Sequence, residues 1–401
     1  MPKYLAVNAG SSTLKWRLFD MPATKLLGQG LIDRINTPPA TVTINVPGRD
    51  AVKYDTDTKD CGRVVADLLL QLKKLGLVER LHDIHGVGHR VVAGGEDFNE
   101  SVIVNDDVLL KIRNLRNLAP LHNPVQANFI DTFRQVLPWA TQVAVFDSAF
   151  HQSMPATSYL YGLPYTWYKQ YGARKYGAHG TSVRYVAGRT AELIGRPLDQ
   201  LRLIVLHLGA GSSVTAVKDG KSLDTSMGFT PLSGLISATR SGDVDPSLLA
   251  YLMRKLNVTA DQMVDLLNDE SGLKGISGLS DDMRTLTDAA DTNPQAQLAI
   301  DMYVNRVVQY VGAYVAEMNG VDAFAFAGGI GEHSSAIRAQ IMSHFQYLGA
   351  TIDAKQNARN SAEVDLSDPD ASVRTWLVPT DEELMIVRDT YRLVTTQQPA
   401  Q

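Results

Sequence analysis

The sequence predicts an α/β protein built from two related halves, on three observations. Short apolar, β-branched runs are followed directly by glycine clusters, as strands entering tight turns should be. Segments with apolar residues at helical spacing lie between those runs. One strand–turn–strand pattern occurs twice, half the chain apart.

The first copy of that pattern, residues 4–19, reads Tyr-Leu-Ala-Val-Asn-Ala-Gly-Ser-Ser-Thr-Leu-Lys-Trp-Arg-Leu-Phe. It is an apolar strand, an Ala-Gly-Ser-Ser turn and an alternating strand. Helical spacing then covers 60–75. The run Ile84-His85-Gly86-Val87-Gly88 reads as strand and turn, and 125–136 and 182–194 read as helices. The second copy, residues 203–217, is Leu-Ile-Val-Leu-His-Leu-Gly-Ala-Gly-Ser-Ser-Val-Thr-Ala-Val. It continues through Lys218-Asp219-Gly220-Lys221, an Asp-Gly turn of the kind hairpins favour. Helices follow over 246–256 and 296–318, the latter long enough to be a central packing helix. Phe324-Ala325-Phe326-Ala327 is a strand entering Gly328-Gly329-Ile330-Gly331, with a helical pattern after it. The Asp- and Ser-rich stretch 361–372 reads as a loop or edge before the last strand, and 395–401 as a frayed tail.

Composition limits the function classes. The chain has 401 residues, and 38 Lys and Arg against 43 Asp and Glu give a net charge of −5. Mild acidity argues against a nucleic-acid partner, which needs a basic face. An anionic ligand must therefore meet a local cluster of Arg, Lys and backbone N–H groups. The single cysteine, Cys61, excludes an internal disulfide framework and fits a reducing, cytoplasmic setting. No run approaches the roughly 18 apolar residues of a membrane span, and the N-terminus is too polar for a signal peptide.

The glycine turns are candidate anion cradles, because a strand–Gly/Ser–strand turn exposes consecutive backbone N–H groups. Ser11, Ser12 and Thr13 add hydroxyls to the first, and Lys15 adds a point charge. Two competing motifs fail. Gly329-Ile330-Gly331-Glu332-His333-Ser334 has Ser where a dinucleotide fingerprint needs its third Gly. Gly220-Lys221-Ser222 lacks the upstream Gly of a P-loop, Thr215 standing there. His82, His85 and His89 invite a metal reading, but strand and turn backbone would scatter their rings. Trp16, Trp139, Trp167 and Trp376 are too dispersed for a stacking platform and are expected in the core.

Together these residues resemble the acetate/propionate kinase family, within the superfamily of actin, sugar kinases and heat-shock chaperone ATPases. The likeness runs in order along nearly the whole chain. It includes Val7-Asn8-Ala9-Gly10-Ser11-Ser12-Thr13-Leu14-Lys15, Gly88-His89-Arg90-Val91-Val92, Pro120-Leu121-His122-Asn123-Pro124 and Phe146-Asp147-Ser148-Ala149-Phe150-His151. It continues through Tyr176-Gly177-Ala178-His179-Gly180, Phe229-Thr230-Pro231-Leu232, Thr239-Arg240-Ser241-Gly242-Asp243, Asp282-Met283-Arg284 and Pro379-Thr380-Asp381-Glu382-Glu383-Leu384. The resemblance implies two duplicated ribonuclease-H-like (actin-like ATPase) domains with a cleft between them. One would comprise 1–149 plus 384–401, the other 150–383. It also implies a homodimer.

The implied reaction is reversible phosphoryl transfer from ATP to acetate, giving acetyl phosphate and ADP, with Mg2+ (Mn2+ as the alternative ion). A carboxylate is already a nucleophile. The difficulty is bringing two anions together, so positioning and charge neutralisation should dominate. By resemblance, Asp147, His179 and Arg240 are catalytic, and Arg90, Val92, Leu121 and Pro231 bind the carboxylic acid. Lys15, His207, Gly209, Gly211, Asp282, Met283, Arg284, Gly329 and Gly331 bind the nucleotide. Asn8 and Glu382 hold the metal, with Glu383 as the rival for Glu382.

Several positions depart from the family pattern. Ala210 replaces an Asn in the second phosphate turn. Ala178 replaces an aromatic that precedes the catalytic His and belongs to the acyl pocket, so propionate or butyrate should be better accepted. Thr13, Ala93 and Ser233 also differ from the usual Ser, His and Glu. Two alternatives follow: a catalytically weak nucleotide-binding paralogue with a regulatory role, and a sugar or polyol kinase. Paired Arg90 and Arg240 suit a neutral sugar poorly.

Overall fold

Two sheets organise the chain, one in each of two units: Met1–Phe150 with Asp381–Gln401, and His151–Thr380. The computed structural model describes residues 2–397 except Ser11, Asn36, Pro38, Thr58, Lys59, Leu121 and Ser361.

The strands of the first unit are β1 (Lys3–Ala9), β2 (Leu14–Asp20), β3 (Lys25–Asp33), β4 (Ala40–Asn45), β5 (Val52–Thr56), β6 (Ile84–Val91), β7 (Val102–Ile103) and β8 (Thr141–Phe146). They lie in the order β5-β4-β3-β2-β1-β6-β8-β7. In the second unit, β9 (Leu203–Leu208), β10 (Ser212–Lys218), β11 (Lys221–Thr225), β12 (Ala323–Ala327), β13 (Val364–Asp365) and β14 (Arg374–Leu377) lie in the order β11-β10-β9-β12-β14-β13. Each sheet thus contains the same arrangement. Three antiparallel strands, β3-β2-β1 or β11-β10-β9, are extended by two parallel ones, β6-β8 or β12-β14. This is the ribonuclease-H-like order, present twice.

The shared Ala-Gly-Ser-Ser sits differently in the two hairpins. In the first, Gly10 and Ser12 lie between the strands, and the Gly10 N–H donates to Thr13 O at 2.8 Å. In the second, Ser212 and Ser213 are already in β10, opposite Leu208 and His207. Sequence identity there is not positional equivalence. The Asp219–Gly220 turn joins β10 to β11 with φ of 53° and 73°, the left-handed pair that a tight hairpin of this hand requires.

Central strands carry unbroken apolar runs because both faces are covered. Every residue of β12 is buried, and β9 is buried except at His207. In the first unit, the helices Cys61–Lys74 and Asn123–Val136 cover one face through Val64, Leu68, Leu72, Phe129 and Phe133, packed with Leu5, Val7 and Trp16. The other face is covered by the helix Glu382–Gln397, whose Ile386 and Val387 pack on Tyr4, Ala6, Val143 and Val145. Gly86 and Gly88 do not end a strand there. β6 runs through them, and a Cβ at Gly88 would lie 2.2 Å from Thr390 Oγ1. They let the helix approach the sheet.

In the second unit, the helix Pro294–Glu317 packs Ile300, Tyr303, Val307 and Val311 against β9, β10 and β12. It starts two residues before the apolar spacing does. The Asn293 side chain accepts from Gln295 N and Ala296 N, with Pro294 in the first turn, a cap that apolar periodicity cannot reveal. The C-terminal helix extends through Gln397, so 395–397 of the expected tail are helical, and 398–401 lie outside the described residues. Trp16 is core at 1% exposure, whereas Trp139 and Trp167 are 38% and 47% exposed. Trp139 donates to Leu81 O and stacks on His82. No helix among the described residues is long and apolar enough to cross a membrane.

Candidate active site

In the first unit, four of the predicted residues meet at the C-terminal ends of β1, β6 and β8. Asn8 is the penultimate residue of β1, Arg90 lies near the end of β6, Asp147 follows β8, and Glu382 begins the last helix. Arg90 Nε donates to Asp147 Oδ2 at 2.8 Å, and its Nη1 donates to Asn8 Oδ1 at 3.2 Å. Arg90 Nη2 also reaches Asp147 Oδ2 at 2.5 Å, and Nε lies 4.0 Å from Glu382 Oε2. Burial alone would lower the Arg90 pKa, but Asp147, Glu382 and Glu383 raise it above its ordinary value. The guanidinium therefore stays charged. Burial pushes the Glu382 carboxyl up, to about 7, with Arg90 pulling it down and Asp147 and Glu383 adding to the rise.

The fold separates the two adjacent glutamates. Glu383 turns to Arg17, 3.8 Å from its Nε, beside the Arg17–Asp381 pair at 2.9 Å. Glu382 faces the Arg90 group. Lys15 is exposed on β2, directly across from Asn8. Val92 follows β6 and is fixed by its N–H, which donates to Gln126 Oε1 at 3.0 Å. Gln126 Nε2 in turn donates to Ala9 O at 3.3 Å, so one buried amide ties the end of β1 to the end of β6. Sequence reasoning missed Gln126, since a buried Gln on a helix carries no local signal. Leu121 lies outside the described residues.

In the second unit, His179 caps the helix Gly180–Ile194 from a left-handed conformation, φ 62°. Its Nδ1 lies 2.9 Å from Ser213 Oγ, and its ring centroid 4.2 Å from that of His207. His207 Nδ1 meets Ser182 Oγ at 2.7 Å, and Ser182 Oγ meets Thr380 Oγ1 at 2.7 Å. Arg240 closes on the same turn. A Cβ placed on Gly211 would stand 2.4 Å from Arg240 Nη2 and 3.4 Å from His179 Nε2. Arg240 Nε is buried without a hydrogen-bond partner. Burial lowers the Arg240 pKa and no anion opposes it. Among the described residues, Arg90 is paired with a carboxylate and Arg240 is not.

The turn itself is stapled from inside. Ser212 Oγ donates to Gly209 O at 3.0 Å and meets Tyr303 OH at 2.9 Å, while Ser213 Oγ holds His179. Both hydroxyls are buried. They shape the turn and orient an imidazole, so what the turn offers a ligand is backbone. Ala210 is its exposed residue.

A cavity of about 550 Å3 opens beside this turn, lined among others by Gly209, Ala210, Asp282, Met283, Arg284 and Gly329. The sequence-predicted nucleotide residues from three separate segments thus converge on it. Arg284 is exposed and pairs with Asp282 at 2.6 Å. Gly331 does not line the cavity: it packs beneath, toward Leu206, Leu208 and Phe326, and its carbonyl accepts from the buried Arg338 at 2.7 Å. Glu332, within the same glycine motif, accepts from Gly328 N at 3.0 Å and Thr380 N at 3.3 Å. Pro231 lies half-buried in the loop between β11 and the helix Pro246–Leu256, the loop that also carries Arg240.

The three histidines 82, 85 and 89 do not form a metal centre. No group of three or more His, Cys, Asp or Glu placed to hold a metal occurs among the described residues. His82 stacks on Trp139, and buried His89 bonds Gln142.

Known proteins share both the sequence pattern and the fold of this chain. The sequence pattern of the acetokinase family matches residues 3–388. An acetate kinase of Lacticaseibacillus paracasei is 59% identical over 397 residues, covering 98% of this chain and 100% of that protein. One of Lactiplantibacillus plantarum is 53% identical over 398 residues, covering 99% and 100%. The crystal structure of Porphyromonas gingivalis acetate kinase superposes with a TM-score of 0.94 at 40% identity, over 98% of this chain and 100% of that one. A propionate kinase from Francisella tularensis gives 0.92 at 39%, with the same coverage. Fold and sequence agree over the full length: the chain has the two-domain actin-like ATPase fold and belongs to the acetokinase family of carboxyl-group phosphotransferases.

Proposed function

We propose that the protein transfers the γ-phosphoryl group of ATP reversibly to the carboxylate of acetate, giving acetyl phosphate and ADP. The observation that carries this reading is Arg240, a guanidinium with a buried, unpartnered Nε set against Gly211 and His179. A half-buried guanidinium without a counter-ion among the described residues is prepared for an incoming anion. An arginine fork matches phosphoryl and carboxylate geometry alike. His179 Nε2 approaches the same turn and would donate to the charge that develops on the phosphoryl group in flight. The neighbouring cavity has room for a nucleoside, with Gly209 and Gly329 at its phosphate end.

Arg90 is assigned to the carboxylate side. Asn8 and Asp147 hold it in one orientation, so little entropy is lost when it engages the acid. The oxygen donors Asn8, Asp147 and Glu382 fit Mg2+, which takes one or two carboxylates and leaves its other positions to phosphates. The raised Glu382 pKa supports this, since a buried carboxyl crowded by like charge gains from a cation. Bound there, the ion would neutralise phosphate charge. Manganese meets the same requirement.

Ala178, buried at 6% exposure, leaves the acyl side without its usual aromatic. We assign the enzyme a wider acid range, with propionate and butyrate used beside acetate. We also assign it a homodimeric state; Trp167, Tyr171, Leu248 and Tyr251 are exposed apolar residues of the second unit that a partner could cover.

The test is to incubate the protein with ATP, Mg2+ and acetate, trap the acyl phosphate with hydroxylamine, and repeat with Arg240→Ala. Hydroxamate from the native protein, reduced by at least a hundredfold in the variant, is expected. Product undiminished in the variant would refute the placement of the site.

A further inference from the structure

We propose that His151 is a positioning residue for His179, holding the left-handed turn that aims the His179 imidazole. The inference rests on the reading of His179 as a donor to the transferring phosphoryl group. The His151 side chain is fully buried. Its Nε2 lies 2.9 Å from Ala178 O, and its Nδ1 lies 2.8 Å from Ser222 Oγ. A carbonyl can only accept, so Nε2 carries the proton, and in the neutral ring Nδ1 is left to accept from the Ser222 hydroxyl. One neutral tautomer satisfies both bonds. Ser222 is itself fixed, since the Ser153 hydroxyl donates to its carbonyl at 3.1 Å.

The Ala178 carbonyl belongs to the peptide that leads into His179, where φ is 62°. A residue with a side chain keeps that conformation only where its surroundings over-determine it. His151 supplies two constraints. It anchors the Ala178–His179 peptide, and its ring lies under Gly177, where a Cβ would come within 2.8 Å of Cδ2. Ser213 separately holds the His179 ring at Nδ1. Backbone and ring are thus fixed from different sides. If the peptide swings free, the imidazole leaves its place beside Gly211 and Arg240. His151 follows Asp147 by four residues, so a single short segment would carry one catalytic carboxylate and the group that sets the catalytic imidazole.

The test compares His151→Phe, His151→Asn and His151→Gln with native protein and with His179→Ala. Phe fills the volume without a donor. Asn reaches Ser222 but not Ala178. Gln can place an N–H near the position of Nε2. We expect His151→Phe to lower kcat roughly tenfold to a hundredfold, the scale of a small misplacement of a catalytic group. KM for ATP should stay within about twofold, because the nucleotide cavity is lined by other segments. His151→Gln should recover most of the loss and His151→Asn should not. Assays are run well below each variant's Tm. If His151→Phe does not fold, the Gln and Asn pair decides.

A purely structural role would lower Tm while leaving kcat of the folded protein intact, and that result overturns the inference. So does an Asn variant as active as the Gln variant. A fully active His179→Ala would instead refute the reading of His179. An impaired His179→Ala with a fully active His151→Phe would refute only the role given to His151.

Discussion

Gly211 and Arg240 share one space: the guanidinium lies where a Cβ on Gly211 would stand, 2.4 Å from Nη2. The glycine is needed for close approach, and its φ does not lie in the left-handed region. Gly211→Ala should therefore displace Arg240 while leaving the fold intact. We expect kcat/KM for acetate to fall about a hundredfold, with Tm changed by a few degrees at most. Unchanged kinetics would show that Arg240 acts from elsewhere.

The adjacent glutamates should separate in metal dependence. Glu382 faces Arg90, whereas Glu383 is turned to Arg17. Glu382→Ala should raise the Mg2+ concentration for half-maximal activity by tenfold or more, and Glu383→Ala should change it less than about threefold. Titrating initial rate against Mg2+ measures both. Equal effects would dissolve the distinction.

Acid range should follow residue 178. Each methylene buried is worth up to about 0.8 kcal/mol, roughly fourfold. The native enzyme should turn over propionate with kcat/KM within about tenfold of acetate, and Ala178→Phe should lower propionate and butyrate more than acetate. A native preference for acetate over both by more than about tenfold sinks the wider-pocket idea.

Acid stability should depend on His89. Burial lowers its pKa from 6.5 to about 4, with the Gln142 hydrogen bond opposing. The unfolded chain thus binds the proton more readily. The folded state is favoured above about pH 6.5, and that advantage is lost as pH falls toward 4. By pH 5 the loss is about 2 kcal/mol. His89→Gln removes this term, so its drop in Tm between pH 7 and pH 5 should be roughly 4–8 °C smaller than that of native protein. Identical pH dependence would mean that His89 does not titrate as described.

Much of this was legible in the linear sequence. The strand–turn–strand repeat, the helices at 60–75, 125–136 and 246–256, and the ordered motifs each depend on neighbours within a few residues, and periodicity records those. Recognition of the family named Asn8, Arg90, Asp147, His179 and Arg240 by the same local strings. What stayed hidden was every relationship made across the fold. Gly86 and Gly88 read as punctuation, and only the packed helix Glu382–Gln397 shows them to be contact surface. Ser212 and Ser213 belong to the second glycine turn, and only the packed fold shows their hydroxyls committed to Tyr303 and His179.

The sequence by itself determined the fold class, the duplication and the chemical types at the site, because these follow from patterning and composition of short segments. Tertiary structure decided which charges are paired and which wait. It set Arg90 on Asp147 and left Arg240 without an anion among the described residues. It gave Glu382 to Arg90 and Glu383 to Arg17, and it put His151 beneath the turn at His179. Pairing depends on distance and burial between segments far apart in the chain, and neither quantity is written along a single strand of sequence.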